Sequence, residues 1–272
     1  RVNPALGTFR SIEEMRSLYQ KAKETPALQN TFKRLYLNMW TSQETRWIDI
    51  EKWDACPNKF DIKELEGQIC YGGLDLSATT DLTAFVLVFP KDSERIVLPF
   101  FFIPKERMIE KIKVDRVDYD LWEKQGYVIA TEGNVVDYEM VKKVITETLG
   151  RYQVQSIAYD RWNATKLVQD LIADGYERMI PIGQGYQSMN APTKYLETLI
   201  LDRKLNHGSN PVLRWNFDNV MILQDPAGNI KPDKGKSKQR IDGIVALIMA
   251  LDGVMRNEQP VSMYETETVK VF

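Results

Sequence analysis

Histidine and cysteine are scarce in this chain, and the shortage excludes much chemistry. One histidine, His207, stands among 272 residues, so no site needing two imidazoles can come from this chain alone. Two cysteines, Cys56 and Cys70, give neither a disulfide framework nor zinc-ligand spacing, which favours a reducing, intracellular setting. No apolar run reaches the ~18 residues of a membrane span, and no secretory signal is visible. Excess charge is missing as well. The net charge is −2, so any nucleic-acid surface must be a local patch. A Gly-x-x-x-x-Gly-Lys-Ser/Thr loop is also lacking, because Gly235-Lys236-Ser237 has no glycine at the required upstream position. No ATP hydrolysis is expected of this chain.

What is present suits one large domain or two smaller ones with a real core. The start at Arg1 rather than Met reads as a piece of a longer protein. Residues 1–66 read as a helical arm. Ser11 and Glu14 form a capping box for a helix to about residue 23. Pro26 opens a second helix over 27–37, with Leu28, Phe32, Leu35 and Tyr36 on one face. Trp40, Trp47 and Trp53 read as fasteners of an extended arm onto a core, with stacking on bases as the alternative. The charged stretch 54–66 is the nearest thing to a linker.

From residue 67 to 256 the pattern is that of a domain with strands first, then strands alternating with helices. Apolar runs at 68–77, 82–89 and 96–103 predict an antiparallel meander around the turn Lys91-Asp92-Ser93-Glu94. The charged stretch 107–125 reads as partly helical, and 127–130 as a short strand. Asp137 caps a predicted helix to about residue 151. A strand at 156–160 precedes a helix over 164–173, stopped by Gly175. A strand follows at 179–182, and a helix from Pro192 to 205. His207, before Gly208, reads as a helix C-terminal residue. A hairpin is expected around Ala227-Gly228-Asn229, then a helix from Asp242. Residues 257–272 read as a tail. The fold class is α/β, a mixed sheet covered by helices on both faces.

Three acids interrupt or end the apolar elements. Asp75 lies in the first strand, Asp160 ends the strand at 156–160, and Asp242 opens the last helix. A buried aspartate is costly unless it is paired, hydrogen-bonded or metal-bound. Hard divalent cations take oxygen ligands, and a pair of them can cleave a phosphodiester. Asp75 is the natural bridging ligand, and Asp160 sits at a strand's C-terminal end, where α/β sheets place ligands. Asp242 also has a plainer account, since a first-turn acid suits the helix dipole without any metal. Asp81 is a fourth candidate or simply a turn residue, and Ser77 could support Asp75.

The sequence Gly73-Leu74-Asp75-Leu76-Ser77-Ala78-Thr79-Thr80-Asp81-Leu82-Thr83-Ala84 resembles the first nuclease motif of the tailed-phage terminase large subunit. Tyr159-Asp160-Arg161-Trp162-Asn163-Ala164 resembles its second. Asp225-Pro226-Ala227-Gly228-Asn229-Ile230-Lys231-Pro232 with Lys238-Gln239-Arg240-Ile241-Asp242-Gly243 resembles its third. Asn3-Pro4-Ala5-Leu6-Gly7 and Leu37-Asn38-Met39-Trp40 resemble the segment joining the family's ATPase domain to its nuclease. The resemblance implies an RNase H-like nuclease that uses two Mg²⁺ or Mn²⁺ ions to cut concatemeric viral DNA during packaging. It implies Asp75, Asp160 and Asp242 as catalytic acids, with Asp81 in a less defined role. It further implies double-stranded DNA as substrate, the terminase small subunit and the portal protein as partners, the host cytoplasm as setting, and a monomeric fragment.

Lys231, Lys234, Lys236, Lys238 and Arg240 precede Asp242 within ten residues. They read either as a solvated loop or as sequence-independent phosphate contacts. Arg161 and Lys166, flanking Asp160, read as further phosphate contacts or as ordinary pairing partners. Two other functions compete: a non-catalytic docking or DNA-binding module of a packaging motor, and another RNase H-like enzyme such as a resolvase.

Overall fold

The computed structural model describes residues 11–24, 28, 32–33, 35–37, 47–76, 82–161, 165–237 and 239–258. Helix α1 (Ile12–Glu24) starts as the capping residues dictate, with Ser11 Oγ accepting from the amides of Glu13 and Glu14 at 3.1 and 3.4 Å. A short helix α2 (Ile50–Asp54) follows. Trp47 and Trp53, on either side of its start, are fully buried. The indole of Trp47 donates to Glu197 at 3.0 Å, and Trp53 stacks on Phe217 and His207 at 4.3 and 4.6 Å between centroids. Trp40, the Pro26 helix start and the tail beyond residue 258 lie outside the described residues.

The centre is a mixed sheet. Strands β1 (Ile69–Asp75), β2 (Thr83–Lys91) and β3 (Glu94–Pro104) form the antiparallel meander, with Tyr71 opposite Val88 and Val88 opposite Val97. Helices α3 (Met108–Asp115) and α4 (Tyr119–Lys124) lead to β4 (Ile129–Thr131), parallel to one end of β3. Helix α5 (Tyr138–Arg151), capped by the Asp137 side chain, leads to β5 (Gln153–Asp160), parallel to β1. Helix α6 (Thr165–Ala173) and β6 (Met179–Ile182) extend the parallel half. The order is β4-β3-β2-β1-β5-β6, and β7 (Leu205–Asn206) joins the other end of β3. This is the mixed α/β sheet expected from the sequence.

Helices cover both faces. Val141, Val144 and Ile145 of α5, with Leu167, Val168 and Leu171 of α6, pack on Leu74, Phe85, Leu87 and Ile157. The opposite face carries α7 (Tyr186–Leu201), α8 (Pro211–Asp218) and α9 (Asp242–Glu258). Ile244 to Leu251 are buried without a break, the pattern of a helix enclosed on all sides. Helix α9 can lie against β1 only because Gly73 has no side chain. A Cβ there would overlap the Ala246 carbonyl oxygen and sit 2.7 Å from the Ala250 nitrogen. The hairpin β8 (Ile222–Gln224) and β9 (Ile230–Pro232) forms around the expected turn, and the Ile230 amide donates to Asn190 of α7 at 2.9 Å.

Two expectations fail locally. Helix α7 begins at Tyr186, ends at Leu201 and keeps Pro192 inside it. The lost backbone bond is offset by the buried face of Met189, Leu196, Leu199 and Ile200. His207 does not end a helix. It follows β7, buried, with Nε2 3.0 Å from the Trp53 carbonyl and Nδ1 accepting from the Ser209 amide at 3.3 Å. Burial holds its pKa below the usual histidine value. Both thiols are buried, and desolvation raises Cys56 to about 11 and Cys70 to about 12.

Candidate functional site

Asp75 is the last residue of β1 and Asp160 the last of β5. Leu74 stands opposite Tyr159 in the parallel ladder, so the two acids lie one step further on neighbouring strands. Residues alternate across a strand. Asp75 therefore shares the face of Tyr71, and Asp160 that of Ala158, both in the cluster packed by α9. Asp242 is the first residue of α9. The three acids are 0, 7 and 8% exposed, respectively. The first turn of α9 is pinned by Asn216, whose Oδ1 accepts from the Gly243 amide at 2.8 Å. At Gly243 itself a Cβ would meet the Phe101 ring at 2.6 Å, so the helix start is held between α8 and β3.

The charge between these acids is a lysine. Lys234 Nζ lies 2.6 Å from Asp75 Oδ2 and 3.4 Å from Asp242 Oδ1. Its turn is built by Asp233. The Asp233 carboxylate accepts from the amides of Gly235 and Lys236 at 3.0 and 3.2 Å, and its carbonyl from Ser237 Oγ at 2.7 Å. The Asp233 amide in turn donates to the Met221 carbonyl at 2.8 Å. The other oxygen of Asp75 accepts from Gln184 Nε2 at 3.3 Å, in the loop after β6. Burial pushes the Asp75 carboxyl up to about 7. Lys234 pulls it down, while the neighbouring Asp242 and Asp160 push it up further. Burial also raises Asp242, against the pull of Lys234 and Arg240. The ammonium of Lys234 is desolvated, but the two carboxylates outweigh that and hold its pKa above the ordinary lysine value. Among the described residues, no three His, Cys, Asp or Glu side chains are closed around a metal-sized space. Asp75 and Asp242 share an ammonium instead.

The other basic residues divide. Lys231 Nζ donates to the Gln184 carbonyl at 3.1 Å and lies 5.6 Å from the centre of the Tyr186 ring, close to the residue that holds Asp75. Lys236 is exposed on the Asp233 turn. Arg240 points to buried Asp115, at 3.5 Å, which also accepts from Tyr119 OH at 2.9 Å. Tyr119, Trp122 and Trp215 pack edge-on or tilted beside it, and Trp215 Nε1 donates to Gln239 at 3.2 Å. Arg161 is exposed after β5, with its guanidinium in the neighbourhood of Gly183. Lys166 is exposed at the start of α6, lining a depression with Glu132, Asp137, Glu139 and Asp170, and none of the three central acids borders it. Ser77, Asp81 and Lys238 lie outside the described residues. Sequence reasoning missed Gln184, Asp115, Tyr119 and Asn216. The only local signal was at Asn216, a polar residue between Trp215 and Phe217.

Asp75 and Asp160 thus end neighbouring parallel strands, and Asp242 opens the helix packed against them. Residues 1–258 match the family described as terminase large subunit, endonuclease domain, and the chain belongs to that family. It is 38% identical over 258 residues to the terminase large subunit of Enterobacteria phage HK97, covering 92% of this chain and 49% of that protein. It is 29% identical over 271 residues to protein YmfN of Escherichia coli K12, covering 95% and 59%. The crystal structure of the HK97 bacteriophage large terminase superposes with a TM-score of 0.72 over 92% of this chain and 52% of that one. The chain therefore spans about half the length of the HK97 protein it matches. No helix among the described residues is long and apolar enough to cross a membrane.

Proposed function

We propose that this chain carries the metal-dependent DNA endonuclease centre of a viral packaging terminase, with Asp75, Asp160 and Asp242 as its catalytic acids. One observation supports this most: two nearly inaccessible carboxylates from opposite ends of the domain, Asp75 and Asp242, converge on a single cation, the ammonium of Lys234. A pocket that already takes a cation between hard oxygen donors fits Mg²⁺ or Mn²⁺ in type and sign. Asp160, near enough to raise the Asp75 pKa, would complete the donor set for two ions, with Asp81 as an addition from the stretch after β1. Such ions, when bound, would supply activation of a water and stabilisation of the leaving oxygen in phosphodiester hydrolysis.

The chain's own residues prepare that chemistry. Gln184 orients the Asp75 carboxylate through its second oxygen, and Asn216 fixes the helix turn that presents Asp242. Burial of the acids keeps water from screening their charge. Lys231, Lys234, Lys236, Lys238, Arg161, Lys166 and Arg240 are assigned to DNA phosphates. Arg240 does so from a fixed seat on Asp115, and Ser77 supports Asp75. The substrate on this reading is concatemeric double-stranded DNA, cut in the host cytoplasm. The terminase small subunit and the portal protein are partners of the assembled motor, and residues 1–66 are the link to an ATPase region. Plasmid incubated with the protein and Mn²⁺ is expected to be nicked and linearised, and Asp75→Ala to abolish both. Intact plasmid together with absent Mn²⁺ binding would overturn the reading.

A further inference from the structure

Lys234 stands between two of the acids assigned above to the metal centre. Its ammonium touches Asp75 and Asp242 at 2.6 and 3.4 Å, and no second cation can approach both carboxylates while it stays. The acids are deep, with side chains 0 and 12% exposed, whereas the Lys234 side chain is 39% exposed. The lysine thus reaches inward from the surface, and its outward path is open to solvent. Its base is fixed. The Asp233 turn is closed by hydrogen bonds from two backbone amides and from Ser237, and tied to the hairpin through Met221. The contacts that hold the ammonium inside are those two carboxylates. A rigid base with a long, rotatable side chain lets the head swing out without disturbing the turn.

The energetics follow. Two buried carboxylates without a counter-charge are strongly unfavourable, so the metal-free protein needs this lysine where it is. An ion of charge two answers both carboxylates better than an ammonium of charge one. The expelled ammonium regains its hydration beside Lys231 and Lys236. We propose that Lys234 is a resident counter-ion that closes the centre in the metal-free protein and leaves it when divalent metal enters. This rests on the metal-centre reading above. It makes Lys234 a built-in competitor of the metal: the centre stays neutralised at low metal concentration and opens at a threshold that this side chain sets.

Calorimetric titration with Mn²⁺ at pH 8, without DNA, tests the exchange. Lys234→Ala and Lys234→Gln are expected to bind Mn²⁺ at least about fivefold more tightly than the unaltered protein, within the range typical of coupled sites. Lys236→Ala, which removes the same charge from the same turn, is expected to change little. A second readout does not depend on a variant. Acetylation of Lys234 by an amine-reactive reagent, followed by mass spectrometry, should be slow without metal and rise about fivefold or more with saturating Mn²⁺, while Lys236 stays constant. Equal Mn²⁺ affinity in the unaltered protein and both Lys234 variants, or constant Lys234 reactivity, overturns the exchange and leaves the nuclease reading intact. Absence of Mn²⁺ binding in every variant overturns both.

Discussion

Gly73 of β1 faces Ala246 of α9 at a separation that leaves no room for a methyl group. An added Cβ would strike the Ala246 carbonyl oxygen and crowd the Ala250 amide nitrogen at 2.7 Å. These are backbone atoms, so the clash cannot be relieved by a rotamer change. Two residues on from Gly73 stands Asp75, and one turn before Ala246 stands Asp242. The closeness of strand and helix therefore sets the closeness of the two acids.

Gly73→Ala should accordingly damage both stability and the site. Overpacking of this kind costs about 1–3 kcal/mol or more, and the helix has to move off the strand to relieve it. Denaturant unfolding is expected to show that loss, and Mn²⁺ affinity is expected to fall with it. A variant of unchanged midpoint and unchanged metal binding would contradict this packing.

The Asp75 carboxyl gives a pH dependence with a definite sign. Its folded pKa, about 7, lies above the ~3.9 of an unfolded aspartate. The folded state therefore holds the extra proton between these values, and stability falls as pH rises from about 4 to 7. Asp75→Asn should flatten this slope. It should also make the metal-free protein more stable than the unaltered one at pH 8, because the neutral amide does not carry the charge that burial disfavours. Mn²⁺ should raise the melting temperature of the unaltered protein and not that of Asp75→Asn. Melting curves at pH 5 and 8 with and without metal provide the check.

His207 acts in the opposite direction. Burial lowers its folded pKa below the unfolded value of ~6.5, so its contribution is complete above that value and is lost as the pH falls through the folded pKa. The melting temperature of His207→Gln should be lower than that of the unaltered protein at pH 7.5. The gap should narrow by pH 5.5, because the variant has no imidazole to protonate. A gap independent of pH would show that His207 is not held neutral.

Trp53 links α2 to the domain through its stacking on Phe217 and His207. Trp53→Ala should cost about 3–5 kcal/mol, the usual loss for a fully buried aromatic. If α2 were only loosely attached, the midpoint of chemical unfolding would barely move.

The sheet was legible because its residues repeat their reason. Apolar runs in β1, β2 and β3, the Asp137 cap and the Gly175 stop are local signals, and the structure follows them. Asp75, Asp160 and Asp242 could be singled out because an acid in an apolar run demands an explanation. The partners of the acids were less visible. Lys234 was noticed as one of a basic series, but nothing in the series says which lysine turns inward. That depends on the Asp233 turn and on the hairpin resting on Asn190. Gln184 and Asn216 act across long sequence separations, which no local pattern encodes. Pro192 misled for the complementary reason, since tertiary burial overrode its local preference for a helix start.

The convergence of Asp75 with Asp242 also has a temporal side. One carboxylate belongs to the first strand of the sheet and the other to the helix that closes the domain, and neither creates the pocket without the other. During synthesis the sheet can begin to form while the acidic pocket still lacks one of its walls. Only when α9 emerges and docks over Gly73 do Asp75 and Asp242 come together on Lys234. The pocket is thus completed by the last described element of the chain.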